Sequence, residues 1–391
     1  MSRRITYVES LTFPTVGVKL AMHELVVRAN GALPALALSV IGLIASGGAE
    51  AAKRSPCASV SNACTDWVAL GGGPARAMIY RTFPLNVRNP AIRRALIMVH
   101  GALRNPDHYF ATATGAAFLA GALDDTLVIA PAFRSWDGDD CKDKLQPPEV
   151  SWSCHGDSWR SGGAATSAPA LTSFDFMDEI LRRLADRKVF PNLVNIVVAG
   201  HSAGGQFVSR YEMANRVEDD LGVTVSYVIA NPSSYAWPDA TRVLPVDAAA
   251  PANAAEGWKE DRPHTKFSYG KFDAATAPKY DLWPYGLENR TGGYTANTSD
   301  DQLRRQLVSR TATYLLSQVD TLPLGGFDDS PAAMAQGPTR RARGEAFVEY
   351  LNEHLGAARS RALIVPECGH NDRCVFTTDP VLAVLFPAQG K

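Results

Sequence analysis

The 391-residue sequence has no excess of either charge: 39 Lys and Arg stand against 40 Asp and Glu, a formal net charge of −1. That leaves no basic surplus to neutralise phosphates, so a nucleic-acid partner is not expected. Charged residues are also sparse, 20% beside 46% hydrophobic, which is the balance of a globular chain rather than a disordered one. No internal repeat appears at the periods of roughly 20–50 residues that mark solenoids and propellers. Metal-ligand spacings are missing as well. There is no C-x2-C or H-x3-5-H pair. The acidic turn of Asp137, Asp139 and Asp140 lacks the Gly and Glu spacing of a calcium loop. No metal and no other cofactor is therefore expected.

Long apolar runs are nearly absent too. The exception is Gly31–Gly47 (GALPALALSVIGLIASG), which is uncharged, preceded by Arg28 and followed by Ala49-Glu50-Ala51. A basic flank, a short apolar core and an A-x-A site read as a secretory signal peptide over residues 1–51, with Met22 as an alternative start. The competing reading, an uncleaved anchor, is disfavoured because the run contains Pro34 and falls short of a span of about 20 residues. A lipoprotein is disfavoured because Cys57 follows Arg54-Ser55-Pro56. The expected location is periplasmic or extracellular, with no stable membrane association after cleavage.

Cysteine is scarce, six in all, but every one lies after the leader and they fall into close pairs. In an oxidising compartment, proximity along the chain suggests Cys57–Cys64, Cys141–Cys154 and Cys368–Cys374.

Past the leader, Ala95–Val99, Thr126–Ala130, Asn195–Ala199, Val223–Ala230, Thr313–Leu316 and Ala362–Val365 are short apolar runs that read as strands buried on both faces. Between them, Ser173–Leu184 and Gly344–Leu355 carry apolar residues at helical spacing. This alternation predicts an α/β fold, a mostly parallel sheet covered on both sides. Residues 52–391 are read as one domain with an insertion at 238–310. Within that insertion, Phe267–Tyr294 holds seven aromatics in 28 residues, either to contact substrate or to pack the insert onto the body.

Gly200-His201-Ser202-Ala203-Gly204 is a G-x-S-x-G that follows the strand NIVVA and opens the helical segment Gln206–Asn215. Strand, sharp turn and helix are the setting of a nucleophile elbow, and the helix N-terminus favours developing negative charge. A serine hydroxyl needs a base within hydrogen-bond reach. Of eight histidines, His23 lies in the leader; His100, His108 and His155 precede the serine; His201 adjoins it; His264 lies in the insert; and His354 continues a helix face. His370 follows the last strand on a short loop, where a base at the sheet edge would emerge. The orienting carboxylate is assigned to Asp320, with Asp328 and Asp329 as substitutes; Asp372 is too close along the chain to His370. The backbone N–H groups of Ala203 and of Ala102, or less favourably Leu103, are expected to form an oxyanion hole, with His100 bracing that loop.

On these residues the chain resembles the α/β-hydrolase superfamily. The resemblance spans about residues 75–390 and rests on HGA at 100–102, GHSAGG at 200–205, Asp320 and CGH at 368–370, in the superfamily's order. It looks closest to secreted bacterial and fungal hydrolases sharing a W…GG segment (Trp159–Gly163), a WPYGL-like stretch (283–287) and YLL…DT (Tyr314–Thr321), and more distantly to secreted polyester depolymerases. It implies a doubly wound eight-stranded sheet with a Ser-Asp-His triad on loops at the strands' C-terminal ends. The cysteine pair around His370 departs from many members. Trp136, Trp152 and Trp159 frame the Cys141–Cys154 loop, either as a wall of an acyl pocket or as part of a stapled surface loop.

The expected function is hydrolysis of a small-molecule or polymeric carboxylic ester through an acyl-enzyme. An amidase or peptidase would use the same residues, and a non-catalytic binding protein on the same scaffold would use the aromatic insert instead.

Overall fold

Side chains of the central strands divide alternately between two cores, as a period of two requires when both faces of a sheet are covered. The computed structural model describes residues 54–136, 141, 143–155, 158–244, 267–290 and 293–387. Its elements are β1 (Thr65–Ala69), β2 (Arg76–Arg81), β3 (Arg94–Val99), α1 (Pro106–Leu119), β4 (Thr126–Pro131), α2 (Ser173–Leu184), β5 (Asn195–His201), α3 (Ala203–Ala214) and β6 (Thr224–Ala230). There follow β7 (Thr241–Val243), β8 (Tyr269–Lys271), α4 (Asp300–Ser309), β9 (Ala312–Ser317), α5 (Pro331–Met334), α6 (Arg340–His354), β10 (Ser360–Val365), α7 (Asp372–Phe376) and α8 (Asp379–Leu385).

Eight strands form one sheet in the order β1-β2-β4-β3-β5-β6-β9-β10, and the six from β4 to β10 run parallel. Ala95, Ile97 and Val99 of β3 join the core under α2, α3, α4 and α6, whereas Leu96 and Met98 join the core under α1, α7 and α8. Strands β5 and β6 split the same way, through Ile196 and Val198 against Val197 and Ala199, and Tyr227 and Ile229 against Val228 and Ala230. The crossover from β3 through α1 leads to β4 on one side, while β5 pairs on the other. That reversal opens a crevice beyond the carboxyl ends of β3 and β5.

All six sequence-predicted strands are present, and α2 has the predicted bounds, fixed by a capping box between Thr172 and Asp175. Strands β1 and β2 were not predicted, although each carries a short apolar run, 67–70 and 77–80. They form an antiparallel edge hairpin of half-exposed residues held by polar contacts: Arg81 pairs with Asp66 at 3.6 Å, and the Arg76 guanidinium lies 4.3 Å from the Trp67 ring centroid. The reading of Ala362–Val365 as buried on both faces is corrected, because β10 is the other edge and Arg361, Ala362 and Ile364 are exposed. Helix α6 begins four residues before the predicted segment, at Arg340, where the Thr339 side chain accepts from the Ala342 N–H.

The expected leader (1–51), Asp137, Asp139, Asp140 and His264 lie outside the described residues. Among the described residues of 238–310, four aromatics tie the stretch to the body. Tyr269 donates to the Ala346 carbonyl (2.8 Å), Trp283 Nε1 to the Ser161 carbonyl (3.0 Å), Tyr285 to Asp328 (2.8 Å) and Tyr294 to Asp178 (2.9 Å). The last part of the stretch is α4, whose Leu303 and Leu307 are buried against α3 on the way to β9. All three expected cysteine pairs are disulfide-bonded.

Candidate active site

Ser202 sits between β5 and α3 with φ 58° and ψ −120°, a conformation costly for any residue with a side chain. Close backbone packing holds it there. A Cβ on Gly200 would lie 2.4 Å from the Gly204 carbonyl oxygen, one on Gly204 would lie 2.3 Å from that of Val99, and one on Gly205 would lie 2.5 Å from that of Ala230. Only glycine lets α3 start this near β3, β5 and β6. The Ser202 N–H donates to the Ala230 carbonyl (2.9 Å), so the turn is tied to β6 as well.

The strand register carries two more side chains to the serine. Strands β9 and β10 end level, Ser317 opposite Val365. Their pairing continues into the loops through Gln318 N–H to Val365 O (2.9 Å) and Val319 N–H to Cys368 O (3.1 Å). Three residues past β9 comes Asp320, and five past β10 comes His370. His370 Nδ1 lies 2.7 Å from Asp320 Oδ2, and His370 Nε2 lies 2.9 Å from Ser202 Oγ. Asp320 is buried, whereas Ser202 and His370 are partly exposed, open to an incoming molecule. The Cys368–Cys374 disulfide brackets His370.

The loop after β3 faces the same point. Gly101 to Arg104 form a turn closed by Arg104 N–H to Gly101 O (3.1 Å), and the Tyr109 hydroxyl fills the space a Gly101 side chain would need. The Ala102 N–H donates to no acceptor among the described residues. The Ala203 N–H, at the first position of α3, has no acceptor within the helix. His100 braces this turn. Its Nε2 accepts from the Phe133 N–H (3.1 Å), which leaves the proton on Nδ1 to donate to the Gly101 carbonyl (2.9 Å). Burial pushes its pKa down to about 4, so the neutral tautomer persists near neutral pH.

Other candidates fall elsewhere. Asp328 accepts from Tyr285 and Ser330, and Asp372 accepts from Thr112 Oγ1 (2.8 Å) and pairs with His108 (3.0 Å), tying α7 to α1. His354 is exposed and stacks on Tyr350. Trp152 and Trp159 are buried around Phe133, with ring centroids 5.2 Å from it, while Trp136 is 64% exposed. Among the described residues no three His, Cys, Asp or Glu side chains converge as a metal-ligand set.

Two further side chains border the site: His201, set aside in the sequence as a base because it adjoins Ser202, and Arg340, which the sequence did not single out. The His201 ring lies 4.5 Å from the His370 ring, its Nδ1 3.2 Å from the Tyr109 hydroxyl, and burial together with the nearby His370 and Arg340 keeps its pKa well below the usual histidine value. Arg340 is fully buried and its Nη1 lies 3.4 Å from Asp320 Oδ1. Nothing in the run Thr339-Arg340-Arg341-Ala342-Arg343 distinguishes this arginine from its neighbours; only the tertiary fold does.

Two solved structures share the fold. The LpqC poly(3-hydroxybutyrate) depolymerase from Bordetella parapertussis superposes with TM-score 0.51 at 19% identity, over 81% of this chain and 85% of that one. Poly(aspartic acid) hydrolase-1 from Sphingomonas sp. KT-1 gives TM-score 0.50 at 20% identity, over 80% and 95%. A comparison with curated proteins returns no match. Residues 96–385 match the alpha/beta hydrolase family, most of the chain and every element that carries the site, and the chain therefore belongs to that family.

Proposed function

We propose that the chain is an exported serine hydrolase that cleaves carboxylic esters through an acyl-enzyme. The observation that carries this reading is the contact of Ser202 Oγ with His370 Nε2 at 2.9 Å on a strained elbow, with His370 Nδ1 bound in turn to Asp320. Ser202 Oγ attacks the acyl carbon while His370 Nε2 takes its proton, and the imidazolium that forms is stabilised by the Asp320 carboxylate. The tetrahedral oxyanion accepts from the N–H groups of Ala203 and Ala102, each worth about 3–4 kcal/mol in the transition state. His370 then gives the proton to the departing alkoxide. A water, deprotonated by the same imidazole, attacks the acyl-enzyme and releases the acid.

Family membership supports hydrolysis, and the fold shared with a polyester depolymerase and a poly(aspartic acid) hydrolase is compatible with either a polymeric or a small substrate. Three disulfides and no free cysteine among the described residues support an oxidising compartment outside the cytosol.

The test is the Ser202→Ala variant on p-nitrophenyl butyrate, whose turnover should fall about 10⁶-fold, the scale of losing an activated serine. Unchanged turnover would refute the assignment. A matched p-nitroanilide separates ester from amide preference: faster anilide cleavage would replace esterase with amidase on the same residues.

A further inference from the structure

We propose that Arg340 is a positioning residue of this site, pairing with the Asp320 carboxylate so that it is aimed at His370 and fixing the loop that walls the imidazole. The inference rests on the ester-hydrolase reading above and assigns a role to a residue that touches no reacting atom.

Asp320 divides its two oxygens: Oδ2 meets His370 Nδ1 at 2.7 Å, and Oδ1 meets Arg340 Nη1 at 3.4 Å. Both partners of the ion pair are buried, with side-chain exposure of 0% for Arg340 and 2% for Asp320. A carboxylate removed from water is costly unless paired, and a cation beside it favours the charged form. That form is the one able to stabilise an imidazolium. A protonated Asp320 would retain the geometry and lose the charge.

The rest of the guanidinium fork shapes the loop. Arg340 Nη1 donates to the Leu324 carbonyl (2.7 Å), Nη2 to the Gly325 carbonyl (2.9 Å) and Nε to Ser233 Oγ (2.9 Å), and the group lies 5.2 Å from the Phe327 ring centroid. Gly325 faces His370 closely enough that a Cβ there would sit 3.1 Å from His370 Cδ2. One side chain thus fixes both the carboxylate that holds the ring and the backbone that borders it. Lysine would supply the charge without the fork.

Other ionisable groups near this pair have defined states. His201, at the end of β5, is kept neutral by burial first and by the nearby Arg340 guanidinium as well. The Tyr235 phenol, after β6, is pushed up by burial and by Asp320. Arg343 lies one turn beyond Arg340 on α6, where burial lowers its pKa to about 10; it donates to the Ser233 and Asp328 carbonyls rather than to Asp320. The Asp320–His370–Arg340 set is therefore where a charge change at 340 is felt.

The test compares the pH profiles of kcat/KM for wild type, R340M, R340Q, R340K and R343K, with thermal unfolding to confirm folding. R340M and R340Q should lose about 100-fold in kcat, the scale of a misplaced reacting group, with KM little changed. Their acidic limb should move up by about one pH unit, because removing a buried cation from the site favours the protonated form of the groups it faced. R340K should restore the limb and only part of kcat, and R343K should leave the limb at its wild-type position. A wild-type limb in R340M or R340Q would overturn the proposal and leave Arg340 as scaffolding. Should neither neutral variant fold, R340K decides: a kcat lowered about tenfold at constant KM supports the role of the fork, and a wild-type kcat overturns it. If wild type itself turns over no ester, the hydrolase reading has failed; if wild type is active and the Arg340 variants match it, only this inference has.

Discussion

Ser202 and the Asp320–His370 pair meet at 2.9 Å, yet the two sides of that contact are held by different forces. On the serine side the restraint is steric. Gly200, Gly204 and Gly205 press backbone against backbone between central strands whose carboxyl-terminal halves are buried, and His100 locks the neighbouring turn with both ring nitrogens. On the other side the restraint is polar and covalent. Asp320 and His370 stand on loops beyond β9 and the exposed edge strand β10, held by a guanidinium, a disulfide and two backbone bonds that extend the sheet pairing. A steric restraint fails abruptly when an atom is added, whereas polar clamps can be weakened one at a time.

The largest effect is expected from Gly204→Ala. Its Cβ would fall 2.3 Å from Val99 O and 2.6 Å from His100 O, on a strand with no room to retreat. Loss of at least about 3 kcal/mol in urea unfolding is expected, with activity gone. A variant with near-wild-type stability would show that the serine side is less tightly packed than described.

A second test concerns the brace of that side. The folded-state pKa of His100 is lowered to about 4 from an unfolded value near 6.5, so its contribution to stability is complete above about pH 6.5 and is lost as pH falls through 4. The stability advantage of wild type over His100→Asn should shrink by about 3 kcal/mol between pH 7 and pH 4. Glu212 works in the opposite sense, its pKa raised to about 8 by burial, so its contribution is lost as pH rises through 8. It is common to both proteins and cancels in the difference. A gap that stays constant with pH would mean that His100 is not buried neutral.

Smaller effects separate the clamps from the scaffold. The Cys368–Cys374 and Cys57–Cys64 disulfides close loops of similar length, with sequence separations of 6 and 7. Replacing either pair by serine should cost about 2–2.5 kcal/mol. Only the first brackets His370, so only its loss should lower kcat, by about tenfold, the scale of modest misplacement of a reacting group. Equal activity in the two double variants would remove the disulfide from the list of clamps.

The same contrast explains what could be read in the sequence. Steric requirements leave a residue signature: glycines at 200 and 204 around Ser202 after an apolar strand, and Gly101 after another. Asp320 and His370 could be proposed because each follows an apolar run by a few residues, in an order that resembles a family. Arg340 could not, because a buried arginine and a solvated one are the same letter, and RRAR at 340–343 lies before the apolar periodicity that marks the helix from Gly344. Strands β1 and β2 were missed although 67–70 and 77–80 are apolar; charged residues flank both runs and only one face of the edge hairpin is buried, through Val68, Ala77 and Ile79. Trp152 and Trp159 were ambiguous because a stapled loop and a packed core use the same residue type.

The central claim is that Ser202 is the nucleophile. Wild-type protein treated with an alkyl fluorophosphonate should form one covalent adduct, and peptide mass mapping should place it on the peptide carrying Gly200-His201-Ser202, with no adduct in Ser202→Ala. An adduct on another serine, or none on folded wild type, would contradict the account.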